Sequence, residues 1–183
     1  ASDPVHQGQT LSQFEPVTET EVLRLLESMT SKSSPMDFIP TSLLKACSLV
    51  FAPVIVRLAN LTFEHSTFPT SFKKAQVTPL IKHRGLDADD PANYRPISNL
   101  NTISKVLERL VLARLVPHVC ASPCFDQQQS AYRKGHSTET ALLKITSDIF
   151  EGFDDHRATI LVALDQSAAF DCVDHTTLIN RMR

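Results

Sequence analysis

No stretch of this 183-residue chain approaches the ~20 consecutive apolar residues that a membrane-spanning helix requires. The longest mostly apolar run, Leu49 to Leu58, is interrupted by Pro53 and Arg57. No basic segment followed by an apolar core and a small-residue cleavage site opens the chain, so no signal peptide is read. These absences point to an intracellular setting, nuclear or cytoplasmic, without a membrane partner. Cysteine is scarce. The four present, Cys47, Cys120, Cys124 and Cys172, form no Cys-x-x-Cys pair, which excludes a disulfide scaffold and predicts free thiols in a reducing compartment. A basic excess is also missing. Eighteen Lys and Arg stand against twenty Asp and Glu, for a net charge of −2, which argues mildly against a nucleic-acid binder. The lack of a Gly-rich nucleophile turn makes a Ser-His-Asp hydrolase a poor reading. Neither internal repeats nor low-complexity tracts occur.

What is present is a globular composition. Hydrophobic residues make up 42% and charged residues 21%, enough for a sizeable core. Positive charge is unevenly spread, with Lys73, Lys74, Lys82, His83, Arg84 and Arg95 falling within 23 residues. Residues 1–17 form a polar lead-in. Thr18-Glu-Thr-Glu21 has capping-box spacing and opens a short helix through Met29. After a loop holding Pro35 and Pro40, a helix is expected from Pro40, and another after Pro53 through Thr62. Ala75 to Lys82 is β-like, and Pro79 demotes it to an edge strand. Residues 83–93 read as a flexible polar loop. An amphipathic helix is expected from Ile97, with Leu100, Ile103, Val106, Leu107, Leu110, Val111 and Leu115 on one stripe, ended by Pro117 and Pro123. Ser137 opens a further helix apolar at Leu142, Ile145, Ile149 and Phe150, and the last helix begins near Thr176.

Residues 160–175 carry the sharpest signal. Five apolar residues end at Asp165, small residues follow, and Phe170 comes five positions later. The pattern predicts a buried strand that delivers one carboxylate to its open end. A carboxylate so placed suits Mg²⁺, a hard cation that prefers oxygen ligands; a strand-end or N-capping aspartate is the plainer alternative. Two-metal phosphoryl transfer needs more than one such carboxylate, and the chain stops eighteen residues after Asp165. Ser167, Ala168 and Ala169 leave room above the strand end, and Phe170 is either a platform for a nucleotide sugar or a core aromatic. Asp171, Asp174 and His175 read as caps and turn residues. Arg95, in Asn93-Tyr-Arg-Pro-Ile-Ser98, suits bidentate phosphate contact, and Lys82 stands at the other end of the same loop. Arg133, Lys134 and His136 cluster around Gly135 before a helix start, where free N–H groups favour anions, and Tyr132 is placed to stack on a base.

These three tracts, in this order, resemble the reverse transcriptases of non-LTR (LINE-type) retrotransposons, most of all the CR1/L2/jockey-like group. Asn93-Tyr-Arg-Pro-Ile-Ser98 resembles a fingers tract of that family, Gln129 to Arg133 with Ser137-Thr138 a second one, and Ala163 to Asp171 the first palm motif. The resemblance covers about four-fifths of the chain. It implies an α/β fold: the fingers and partial palm of a right-hand polymerase, truncated after the first palm aspartate motif. It implies a lead-in and first helix over 1–32 and a partial reverse transcriptase domain over 33–183, with fingers at 33–157 and the start of the palm at 158–183.

It further implies that Asp165 is the first catalytic metal ligand, that Phe170 is the steric gate sensing the sugar 2′ position, and that Arg95, with Lys82 as companion, holds the triphosphate. The backbone N–H of Gln166 would face phosphate, and Arg133 would lie near template or nucleotide. The complete enzyme would use Mg²⁺, dNTPs, an RNA template and a DNA primer. Gln166 and Ala131-Tyr132 depart from the family pattern, which has an apolar residue and Gly-Phe there. The family's later Tyr/Phe-x-Asp-Asp turn does not occur in these 183 residues, so the chain by itself is expected to be inactive. The alternative is a non-catalytic remnant that binds nucleic acid or serves as a helical interaction module.

Overall fold

The computed structural model describes residues 10–123, 125–166, 169–170 and 172–182. Cys124, Ser167, Ala168 and Asp171 therefore lie outside the described residues, as do the first nine. The chain divides into two compact units, residues 1–125 and 126–183.

The described residues of the first unit form four α-helices, three of which build its core. α1 (Glu19–Ser28) is capped by Thr18, whose Oγ1 accepts the Glu21 N–H at 3.3 Å. The Glu21 carboxylate, which also faces the Thr18 N–H, is gripped chiefly by Arg114. α2 (Thr41–Ala46) follows Pro40, and α3 (Ser48–Glu64) follows at once. This corrects the expectation of a helix starting after Pro53. Pro53 lies within α3, whose flanking Ala52 and Ile55 are buried against α1 and hold the helix through the missing N–H. α4 (Thr102–Ala121) contributes the fully buried Val106, Leu107 and Leu110. Together with Val17, Val22, Leu26, Met29 and Ala59 these residues form one core. Burying a side chain of this size contributes about 1.5–3 kcal/mol each.

Polar side chains tie the segments entering and leaving this core. Asn60 on α3 accepts the Val17 N–H (2.7 Å) and donates to the Val17 carbonyl (3.1 Å). Lys45 Nζ donates to the last carbonyls of α1, at Met29 (2.6 Å) and Glu27 (3.1 Å), as cations at a helix C-terminus do. Among the described residues no buried side-chain polar atom lacks a partner.

Between α3 and α4 the chain forms a hairpin of β1 (Gln76–Ile81) and β2 (Tyr94–Asn99), antiparallel, with Leu80 opposite Arg95 and Pro79 opposite Pro96. The two prolines sit side by side without loss. The Lys82 N–H bonds to the Asn93 carbonyl at 2.8 Å, and alternation along the ladder makes Pro79–Pro96 a non-hydrogen-bonded pair. Tyr94 to Asn99 is thus strand, which corrects the expectation of a helix from Ile97. The helix starts at Thr102, where Asn101 Oδ1 accepts the Ser104 N–H (2.7 Å). It also runs through Pro117 to Ala121 instead of ending there.

The second unit contains α5 (Thr138–Asp154) and α6 (His175–Arg181). Ser137 and Thr140 complete a reciprocal capping box. Asp174 caps α6 by accepting the Thr177 N–H at 2.6 Å, the role expected of it. Between the helices, residues 157–166 form no strand. Ile160, Leu161, Val162 and Leu164 are 66–92% exposed, which overturns the buried strand expected to end at Asp165. A β-strand is stable only when its N–H and C=O groups are paired, and the described residues of this unit supply no neighbouring strand. Of these residues only Gly152 is buried. Among the described residues of both units, no helix is long and apolar enough to cross a membrane.

Candidate nucleotide and nucleic-acid site

The hairpin fixes where Lys82 and Arg95 point. Residues directly opposite in an antiparallel pair share a face, and side chains alternate along each strand. Arg95 opposite Leu80, and Lys82 two residues beyond Leu80, therefore lie on one face of the hairpin together with Ile97. Arg95 is exposed, and its guanidinium has no ion pair or hydrogen bond among the described residues. Lys82 is engaged: its Nζ donates to the Ala92 carbonyl at 2.7 Å and so closes the loop that leads into the strand of Arg95.

That loop is pinned rather than slack. Asp87 Oδ1 accepts the Asp89 N–H, and Asp90 Oδ1 accepts the Ala92 N–H. Asn93 Nδ2 donates to the Asp87 carbonyl, and Tyr94 Oη donates to the Ala88 carbonyl. The acidic cluster at 87–90 thus builds turns, while Gly85 supplies the left-handed backbone (φ +89°). On the opposite face of the hairpin Val77, Pro79, Pro91, Tyr94 and Pro96 line an apolar recess of about 460 Å³. With its hydroxyl already committed, Tyr94 presents only its ring there.

In the second unit, the tract before α5 is shaped by Tyr132 and Gly135, both at positive φ (+58° and +77°). Arg133 turns back onto Gln127, donating to its carbonyl at 2.8 Å and to its Oε1 at 3.2 Å. Tyr132, 86% exposed, meets Phe170, 76% exposed, edge to face with ring centroids 6.2 Å apart. The structure therefore brings together two residues that the sequence named for separate reasons. At the start of α5 the Glu139 carboxyl is held below its ordinary pKa, chiefly by a hydrogen bond from Ser137 and then by its own N–H. The positive end of this helix dipole already faces a carboxylate of the chain.

Asp165 and Gln166 are exposed, and Asp165 makes no ion pair or hydrogen bond among the described residues. Its carboxylate is free to ligate, and it fits one position of a magnesium site, which uses one or two carboxylates with waters and substrate phosphates. Among the described residues no three His, Cys, Asp or Glu side chains converge on a common point. Lys82 and Arg95 belong to the first unit, and Asp165, Gln166, Phe170 and Arg133 to the second.

Two cations escaped the sequence reading. Arg24 on α1 and Arg109 on α4 line one cleft. The available signal was the stripe Thr20, Arg24, Ser28, spaced i, i+4, i+8 along one side of α1.

The family described as "Reverse transcriptase (RNA-dependent DNA polymerase)" matches residues 80–183. The chain is 30% identical over 171 residues to a probable RNA-directed DNA polymerase from transposon BS of Drosophila melanogaster, covering 93% of this chain and 19% of that protein. It is 31% identical over 168 residues to a probable RNA-directed DNA polymerase from transposon X-element of the same fly, covering 92% and 18%. It is 28% identical over 171 residues to the RNA-directed DNA polymerase from mobile element jockey, covering 91% and 18%. The chain thus spans about a fifth of the length of these curated relatives.

Proposed function

Because the chain belongs to the reverse transcriptase family, we propose that it is part of an RNA-directed DNA polymerase of a non-LTR retrotransposon, comprising fingers and the opening of the palm in a right-hand fold. The observation that carries this reading is the similarity of 91–93% of the chain to RNA-directed DNA polymerases of fly transposons. It is joined by a carboxylate at Asp165 that is exposed and unpaired where the family motif puts a metal ligand.

The whole enzyme copies an RNA template by adding dNTPs to a primer. Asp165 would be one ligand of a magnesium ion, whose charge when bound would offset that of the phosphates and acidify the primer hydroxyl. Arg95 offers five N–H donors in a rigid fork to the incoming triphosphate. Lys82 holds the loop behind Arg95 and so acts by positioning it. Gln166 offers its backbone N–H to phosphate. Phe170, buttressed by Tyr132, contacts the sugar and rejects a 2′-hydroxyl by bulk. Arg133, tied to Gln127, orders the tract beside the template.

Primer extension on an RNA template tests the proposal. A polypeptide joining residues 1–183 to the remainder of such a polymerase incorporates dNTPs, and Asp165→Ala lowers its rate by about three orders of magnitude. The 183-residue chain alone incorporates none, since a single carboxylate does not clamp both oxygens of an in-line displacement. Undiminished extension by the Asp165→Ala polypeptide would sink the assignment.

A further inference from the structure

The cleft between α1 and α4 lies outside every residue assigned above. It has a volume of about 430 Å³ and is lined by Thr20, Glu21, Arg24, Ser28, Arg109 and Ala113, among others. Its walls are firm, because Val22 and Leu26 of α1 and Leu107 and Leu110 of α4 are fully buried in one core. One end is cross-braced by Arg114, which donates to both oxygens of Glu21 (2.9 and 3.0 Å).

The charges do not balance. Glu21 is the one acid lining the cleft, and its carboxylate is taken by Arg114. Arg24 and Arg109 approach from opposite walls, and neither guanidinium makes an ion pair or hydrogen bond among the described residues. Glu27, three residues from Arg24, and Glu108, next to Arg109, are not lining residues. Two uncompensated guanidiniums thus face one open groove, with the Thr20 hydroxyl beside them. Guanidinium forks match phosphate oxygens bidentately, and their spacing is set by two helices locked in a common core. An enclosed small-molecule site would be expected to be mostly apolar with a few convergent polar groups; this one is open and cationic.

We propose that the α1–α4 cleft binds the phosphodiester backbone of an RNA strand, with Arg24 and Arg109 each neutralising one phosphate. The proposal deepens the polymerase reading, on which it rests for the identity of the strand, by adding a contact remote in sequence from Arg95 and Asp165.

The test titrates a labelled single-stranded RNA with the purified 183-residue chain at several salt concentrations. Each phosphate neutralised on a single strand contributes about −0.7 to the slope of log K against log salt. The Arg24→Ala/Arg109→Ala double variant is expected to bind at least about tenfold more weakly at low salt and to flatten that slope by about 1.4. Arg24→Lys/Arg109→Lys keeps the slope, since it keeps the charge. Both positions are exposed, and an unchanged thermal transition shows that the variants fold. An unchanged slope in the alanine variant overturns the proposal, as does failure of the unaltered chain to bind RNA. Competition by free nucleoside triphosphate as effective as that by RNA also overturns it, because the site would then hold a nucleotide and not a strand. Failure of the cleft leaves the Asp165→Ala result untouched, and failure of the polymerase reading at Asp165 leaves the salt slope untouched.

Discussion

Arg114 shows how one residue organises the first unit. Its guanidinium donates to the carbonyls of Glu15 (2.6 Å), Leu110 (2.8 Å) and Pro16 (3.2 Å), pairs with both Glu21 oxygens, and lies 5.3 Å from the centre of the Phe63 ring. Arg114→Ala leaves a half-buried carboxylate and several carbonyls without their donor. It is expected to cost about 2 kcal/mol, measured by chemical denaturation.

The same pair sets a pH dependence. The Arg114 hydrogen bond, opposed by burial and aided by the guanidinium's charge and the Thr18 N–H, holds the Glu21 carboxyl below its ordinary value of 4.5. As pH falls the unfolded chain binds the Glu21 proton first. The stabilisation is therefore complete above pH 4.5, declines below it, and is gone once pH passes beneath the folded value. In Arg114→Ala this part of the stability–pH curve flattens. At this scale the sequence was partly legible. Thr18 and Asp174 announced themselves as caps by local spacing, whereas the Arg114–Glu21 pair joins residues 93 positions apart and leaves no local pattern.

Among elements, the joint between the loop before α2 and the start of α4 depends on Asp37. Its Oδ1 accepts the Thr102 N–H (2.6 Å), and its Oδ2 accepts the Thr102 hydroxyl (2.9 Å) and the Ser34 N–H (2.6 Å). Thr41 and Thr102 share a buried hydroxyl contact at 2.8 Å. A carboxylate at the first turn of a helix satisfies orphan N–H groups and favours the dipole. Asp37→Ala is expected to cost about 1–3 kcal/mol in the urea midpoint of the unit holding α1, α3 and α4, and Asp37→Asn should cost less because it keeps an acceptor oxygen. The sequence read the 34–40 tract only as a loop punctuated by prolines, since nothing near Asp37 betrays a partner 65 residues away. The hairpin was misread for a related reason. Ile97 and Leu100 fit a helical stripe with Ile103 as well as they fit a strand, and pairing with Gln76–Ile81 decided between the two.

Over the whole molecule, burial is uneven. The first unit owns the core, while in the second Leu142, Leu143, Phe150 and Phe153 are 57–74% exposed along α5. Local opening costs little where few apolar side chains are buried. Hydrogen exchange is therefore expected to be slowest for the amides of α1, α3 and α4 and fastest for residues 157–166, with α5 closer to the latter. Protection in α5 equal to that in α4 would show that the second unit has a core of its own. Exposed apolar surface on this scale marks an interaction surface.

The sequence by itself determined the local and chemical features: which residues cap, which helices form, that Pro79 lies in an edge strand, and that the tracts around Arg95, Arg133 and Asp165 belong to the reverse transcriptase family. These are written in short-range spacing and residue type, where period and side-chain chemistry suffice. Tertiary structure alone decided the strand at Tyr94–Asn99, the pairing of Glu21 with Arg114, the meeting of Tyr132 with Phe170, the cationic cleft of Arg24 and Arg109, and the absence of a strand before Asp165. Each depends on a partner distant in the chain, or on its absence. An apolar run encodes a strand only in the presence of another strand to bond to.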